Sequence, residues 1–345
     1  MSFNFKETFL KLTEFTVPYG DEDSLLPLLP SNLQKDTIGN YFLKIGQSKT
    51  LFTCHLDTYC KTKEKVNHVI QGNLIGTDET TILGGDNKAG VTAILYLISQ
   101  NVPGTYYFFI GEEPILSGGM FGSTELANNS PDFLKQFDRA VAFDRKKKGS
   151  IISRQAAQIC CSDEFVQALA KEFGSKGVPM QDDKTGYYTD TGAFLELIPE
   201  CTNISIGVWG EHTKKEFVDI SYVETVAKAA AQVNWESLPV VREASEWVKG
   251  EPRRVTKGNV KKYVKFYTSK IDRKLFQKVN ALMTGVGPYV LMNKRPFESG
   301  KEMWYNQWFQ EAPLKIVIEN EIITINGRPI TLKQIENAFK AKDDK

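Results

Sequence analysis

The chain alternates short apolar runs with amphipathic stretches over most of its length. Residues 5–16 place Phe5, Phe9, Leu10, Leu12 and Phe15 at helical spacing, which predicts an opening helix. Leu51–Cys54, Tyr106–Ile110, Ala140–Phe143 and Ile204–Val208 are apolar, β-rich runs of strand length, the pattern of strands buried on both faces. Between them, Ala89–Gln100 and Asp163–Phe173 read as helices. Buried strands alternating with helices imply an α/β sheet with helices on its faces. The alternating run Val66–Ile75 predicts a hairpin strand, with His68 on its surface. Farther on, Pro313–Ile325 is β-rich, Asn326-Gly327 is a turn signal, and Thr331 is placed to cap a final helix. That end of the chain therefore reads as a small α+β domain.

Charge divides the chain where hydropathy does not. Over 345 residues, Lys+Arg (43) and Asp+Glu (42) nearly cancel. From Glu251 onward, however, 19 basic residues face 10 acidic ones, so the first 250 residues are acidic overall. Gly250 and Pro252 mark the junction. We expect a catalytic domain over 1–245 and a basic domain over 246–345. Within the latter, Arg253–Lys278 interleaves many basic residues with Tyr263, Phe266 and Tyr267. Such a stretch can contact nucleic acid or an acidic protein partner. The plainer reading is a solvated amphipathic helix whose aromatics face a core.

Hydrophobic residues at 41% and charged residues at 25% are ordinary globular values, which excludes wholesale disorder, a collagen-like chain and a disulfide scaffold. No apolar run approaches the roughly 18 residues needed to cross a bilayer. Residues 1–16 lack the apolar segment of a secretion signal. The 5 cysteines include an adjacent pair and no Cys-x-x-Cys, which reads as free thiols in a reducing compartment, the cytoplasm.

The chemistry gathers at strand ends. His55-Leu56-Asp57 follows the first buried run, Gly111-Glu112-Glu113 the second, Asp144 the third and Gly210-Glu211-His212 the fourth. In α/β sheets that edge is where ligands bind. Asp86, in Gly84-Gly85-Asp86-Asn87-Lys88-Ala89-Gly90, stands just before a helix, where glycines permit a tight turn and the helix dipole favours a carboxylate. Imidazoles with carboxylates suit a borderline cation such as zinc. The set is too large for one open tetrahedral site and suits two metals sharing a bridging carboxylate. Glu112 and Glu113 then offer one ligand and one proton-transferring base, and Asp57 can hold the second nitrogen of His55.

These ordered motifs resemble the co-catalytic di-zinc metallopeptidases, over roughly residues 5–235. Val17–Glu22, Asp36–Asn40 and Gly118-Gly119-x-x-Gly122 also fit. The resemblance implies a zinc-exopeptidase fold with a mixed, mostly parallel central sheet. It implies that Asp86 bridges two divalent metals, zinc foremost with cobalt or manganese as alternatives. His55 and Asp144 would complete one site, and Glu113 and His212 the other. Glu112 would be the general base acting on a metal-activated water, and Asp57 would orient His55. The wording around Asp86 looks most like peptidase T. That branch, however, inserts a lid between the Asp and the last His, and residues 145–211 are too few for one. Residues 58–85 are likewise too few for the small β domain that glutamyl aminopeptidases insert. The architecture therefore resembles the lidless aminopeptidases.

The expected activity is removal of N-terminal residues from peptides. Hydrolysis of another amide, an N-acyl amino acid or a dipeptide, stays open, as does a binding role centred on the basic domain. Lys88 reads as a turn residue. The Gly118–Gly122 cluster is no phosphate loop, since no Gly-Lys-Ser/Thr follows, and reads as letting the chain approach the metal site closely. Asp190, Tyr188 and Arg145 are candidates for substrate contact, against ordinary roles in a polar turn and a surface ion pair.

Overall fold

The computed structural model describes residues 3–113, 118–156 and 158–244, together with the backbone of six strands between 262 and 330. The chain divides into two compact units, Met1–Glu251 and Pro252–Lys345.

The first unit opens with helix α1 (Phe5–Leu12), which buries Phe5, Phe9 and Leu12 along one stripe. The Asn4 side chain caps it by accepting the Glu7 amide. The helix is shorter than its apolar spacing predicts. The Thr13 hydroxyl turns back onto the Phe9 carbonyl at 2.8 Å, and Phe15 leaves the stripe to bridge with Lys65.

Among the described residues of this unit, fourteen strands follow. They are β1 (Gln34–Lys35), β2 (Tyr41–Ile45), β3 (Thr50–His55), β4 (His68–Gln71), β5 (Leu74–Thr77), β6 (Gly104–Phe109) and β7 (Arg139–Arg145), then β8 (Ser150–Ile152), β9 (Arg154–Gln155), β10 (Gln158–Ile159), β11 (Gln181–Asp183), β12 (Glu200–Ser205), β13 (Val208–Trp209) and β14 (Phe217–Asp219). The main sheet runs β1-β2-β6-β3-β7-β12-β8-β11. Its centre, β6-β3-β7-β12, is parallel, and antiparallel pairings flank it. β3, β6 and β12 are buried at every position; in β3 and β6 this shows as largely apolar or β-branched sequence, whereas β12 buries Glu200, Asn203 and Ser205 as well. The fourth predicted strand ends early. Its ladder with β7 shifts register after Asn203, and Val208 belongs to a separate strand of a second sheet, β13-β14-β5-β4.

Among the described residues of this unit, five further α-helices follow: α2 (Gly85–Ser99), α3 (Phe121–Asn129), α4 (Pro131–Leu134), α5 (Asp163–Ser175) and α6 (Ile220–Ala230). α2 packs against α1, α6, β3 and β7. α5 is capped by Ser162 and buries Phe165, Val166, Leu169 and Phe173. α6 is capped by Asp219, whose side chain accepts the Ser221 and Tyr222 amides. No inserted domain interrupts the described residues between Asp144 and His212; that span holds β8–β13 and α5. Cys54, Cys160, Cys161 and Cys201 are buried, Cys60 is half-buried, and all five are free thiols.

His68 is tethered rather than loose at the surface. It is half-buried on β4, with its Nε2 2.8 Å from the Thr13 hydroxyl. The predicted hairpin run resolves into β4 and β5 around a turn at Gly72-Asn73.

The second unit contains a six-stranded sheet in which Lys262–Phe266 lies between Tyr289–Asn293, a parallel neighbour, and Glu302–Asn306, an antiparallel one. The helical reading of 253–278 is therefore wrong over Lys262–Phe266, where Tyr263, Val264 and Phe266 suit an extended chain. The rest of that basic segment, and with it the nucleic-acid or acidic-partner expectation, lies outside the described residues, as does the final helix after Thr331. Ile322–Ile325 and Arg328–Ile330 form the hairpin that Asn326-Gly327 predicts. Among the described residues no helix is long and apolar enough to cross a membrane.

Candidate metal centre

His55 is the last residue of β3, and its imidazole is 1% exposed. Nδ1 points back to Asp57, 3.2 Å from its carbonyl and 3.4 Å from its carboxylate. Nε2 points forward, 3.2 Å from Asp86, 3.7 Å from Asp144 and 3.8 Å from Glu112. A neutral ring carrying its proton on Nδ1 leaves the Nε2 lone pair facing that cluster. Asp86 offers its other oxygen to His212, whose Nε2 lies 3.3 Å away and 3.1 Å from Glu113. Asp86 thus stands between two imidazoles with one oxygen toward each.

Donor atoms converge within 4.8 Å in three sets: His55 with Asp86 and Asp144, Asp86 with Glu113 and His212, and His55 with Glu112 and Glu113. The first two share Asp86. Asp86 and Asn87 depart from helical angles inside α2, so Asp86 precedes the regular helix. Asp144 lies inside β7 rather than beyond its end, because that strand runs on to Arg145.

The supports are as specific as the donors. Asp57 is fully buried and accepts the Glu112 amide at 3.0 Å on one oxygen and the Glu113 amide at 2.9 Å on the other. One carboxylate therefore fixes both His55 and the paired glutamates. Glu22, also buried, accepts the Gly111 amide at 3.2 Å from the far side of the same loop. Lys88 donates to the Asp57 carbonyl and the Thr58 hydroxyl, each at 3.1 Å. The Thr189 hydroxyl donates to Asp144 at 2.6 Å. Gly122 lets α3 close on the site, since a Cβ there would fall 2.1 Å from Asn40 Oδ1 and 2.7 Å from the Ile110 carbonyl.

Electrostatics follow from this crowding. Burial raises the Glu112 and Glu113 carboxyls, and burial with the nearby Asp86 carboxylate raises Asp144 well above the ordinary range. Burial works against a charged His55, but Glu112, Asp57, Asp86 and Asp144 outweigh it and raise its proton affinity. His212 is pushed up to about 11: burial opposes its charge, and Asp86 and Glu113 overcome that. Asp86 is held low by the two imidazoles despite its burial. Carboxylates that face one another at this range are stable only with protons or cations between them. The nitrogen and oxygen donor set fits divalent metals.

The three substrate candidates fare differently. The Arg145 guanidinium is taken up by Asp183 at 2.9 Å and Thr185 at 2.8 Å. Asp190 is 1% exposed, and burial pushes its carboxyl up to about 7. Tyr188 is partly buried and packs against the core. Between these two, Thr189 is the residue that reaches the cluster. Thr189, Glu22, Glu216 and Tyr59, whose ring stacks on His212 at 4.4 Å, were not singled out from the sequence. Two of them had a signal there: Thr189 by its place inside Tyr187-Tyr188-Thr189-Asp190, and Glu22 as the end of the Val17–Glu22 segment.

No protein-family model and no curated protein matches the sequence. Solved structures do. The aminopeptidase PepT of Bacillus cereus superposes with a TM-score of 0.55 at 14% identity, over 66% of this chain and 96% of that one. A tripeptidase of Staphylococcus aureus gives 0.52 at 15% identity, again over 66% and 96%. The first unit shares its fold with these two peptidase structures. At these identities the likeness speaks for the fold, and the chemistry rests on the donor geometry above.

Proposed function

We propose that this protein is a metal-dependent aminopeptidase that removes N-terminal residues from peptides. The observation that carries the reading is the sharing of Asp86 between two donor sets, one with His55 and Asp144 and one with Glu113 and His212. The aminopeptidase and tripeptidase activities named for the superposable structures support the reaction class. His55, Asp86, Glu113, Asp144 and His212 would hold two divalent cations, zinc being the ion these donors suit. Cations held there supply Lewis acidity toward a carbonyl oxygen and toward water.

The chain's own groups do the rest. Glu112 takes the proton of the attacking water and returns it to the leaving amine. Its backbone is fixed by Asp57, so the base and the neighbouring ligand Glu113 share one support. Asp57 also keeps the His55 lone pair facing the cluster, and Thr189 occupies the outer oxygen of Asp144. Four buried free thiols fit a reducing compartment such as the cytoplasm.

Glu112→Gln tests the mechanism. Turnover of an aminoacyl substrate should fall about 10²- to 10⁴-fold, the usual worth of a proton-transferring side chain, while bound metal stays as in the wild type. Undiminished turnover would remove Glu112 from the mechanism. A panel of aminoacyl, dipeptide and N-acyl substrates, each run before and after chelation, fixes the substrate class. Preference for N-acyl substrates would replace the aminopeptidase reading.

A further inference from the structure

Glu216 is a buried carboxylate outside the donor cluster. The residue is 1% exposed and stands just before β14, at the end of the loop that carries His212. Both of its oxygens reach across to the turn that carries Asp86. The Gly84 amide donates to Oε2 at 2.8 Å, and the Asp86 amide donates to Oε1 at 2.8 Å. Gly85 makes this approach possible, since a Cβ there would lie 2.5 Å from the Val218 side chain and 3.3 Å from Glu216 Oε1. Among the described residues no cationic side chain pairs with Glu216, and its two oxygens are met by backbone amides of that one turn.

Such a placement costs desolvation energy that apolar packing would avoid, and amide donors offset it. What the arrangement gains is geometry. Asp86 and His212 face each other at 3.3 Å, and both hang from Glu216. Asp86 does so through its own amide. His212 does so through a short loop closed by Thr213 N–H on the Gly210 carbonyl and Glu216 N–H on the Thr213 carbonyl, each at 3.2 Å. That loop also holds His212 in a left-handed conformation, with φ of 62°. Pairing of β14 with β5 fixes the same region from behind, and the hydroxyl of Thr77, the last residue of β5, donates to the Lys214 carbonyl at 3.1 Å. A shift of the Glu216 carboxylate therefore moves Asp86 against His212.

We infer that Glu216 is a positioning residue that sets the separation of Asp86 and His212, and with it the cation affinity of the position these two share with Glu113. The inference rests on the metal reading of the cluster. Metal–ligand bonds tolerate only small displacements, and groups that orient ligands are commonly worth about 10- to 100-fold in metal affinity.

The test is a cobalt(II) titration of the metal-free, full-length protein, followed by its visible absorption, for the wild type, Glu216→Gln and Glu216→Asp. The wild type should take up two equivalents. Glu216→Gln keeps the side chain's shape but presents one acceptor oxygen. It should bind one equivalent about 10- to 100-fold more weakly, with an altered absorption band, and bind the other as the wild type does. Its metal-free melting temperature should stay close to that of the wild type, and kcat should fall more than KM rises. Glu216→Asp, with the charge on a shorter stem, should fall between them. Two equivalents bound by Glu216→Gln with wild-type affinity would overturn the inference and leave the metal reading standing. Loss of the folded signal in both variants would assign Glu216 to packing and overturn it as well. A wild type that takes up no cobalt would overturn the metal reading, and this inference with it.

Discussion

Glu200 and Glu112 are carboxylates withdrawn from solvent within the same unit, and their surroundings differ in kind. Glu200, at the start of β12, accepts the Ser162 amide and hydroxyl at 2.7 and 2.9 Å and the Val241 and Arg242 amides at 2.8 and 3.0 Å. Arg242 then spends its guanidinium on the carbonyls of Leu195 and Ile198, at 2.8 and 2.7 Å, and of Pro199. Both Glu200 oxygens there have protein donors, and the Val241-Arg242 segment is latched to the sheet. Around Glu112, acceptors face acceptors: Asp86, Glu113 and Asp144 share a small volume with two imidazoles. The protein surrounds the first carboxylate with donors and sets the second among other carboxylates, the arrangement on which the proposed metal reading rests. Burial alone does not separate structural from functional acids; the census of donors around them does.

The largest effect expected from this contrast is on folding. Glu200→Ala strands several buried donors and should cost about 3–5 kcal/mol in denaturant unfolding, with cobalt uptake per folded molecule unchanged. A cost below about 1 kcal/mol would erase the distinction. Glu112→Gln should act in the opposite direction in the metal-free protein, adding about 1–2 kcal/mol at neutral pH by removing one of the crowded carboxylates. A destabilised metal-free variant would show that the cluster is satisfied from within.

The smallest effect concerns Asp219, which caps α6 and pairs with Lys148 at 2.6 Å. Burial works against its charge, but Lys148 and Ser221 outweigh that and hold its carboxyl below 3.8. A lowered carboxyl stabilises the fold above the unfolded value and loses that contribution as pH falls through the folded one. Asp219→Ala should therefore cost about 1 kcal/mol at pH 7, a gap that closes on acidification below 3.8. A gap that does not depend on pH would mean that the cap acts without its charge.

The donor set was legible in the sequence because metal-capable residue types recur where buried strands end, and that edge of an α/β sheet collects ligands. The parallel core was legible for a similar reason, since strands such as β3 and β6 have no solvent face to interrupt their runs. What could not be read were residues whose partners are backbone atoms. Glu216 accepts amides from a turn far away in the chain, and nothing in Lys215-Glu216-Phe217 announces that. Arg145 kept its alternatives open until Asp183 arrived beside it from β11. Phe15 had helical spacing, but Thr13 supplied a competing local bond. The Ile204–Val208 run read as one strand, yet Ile206 donates its amide to the Arg145 carbonyl and the chain crosses to another sheet.

The placement of the five sulfurs gives the molecule a built-in clock. Cys60 is half-buried beside the candidate metal centre, whereas Cys54, Cys160, Cys161 and Cys201 are within 1% of full enclosure. An alkylating reagent reaches such thiols only through an opening of the structure. One fast modification should thus report on the native mouth of the site, and four slow ones on how often the sheet comes apart. The two rates can be followed in one tube by mass, with no label introduced.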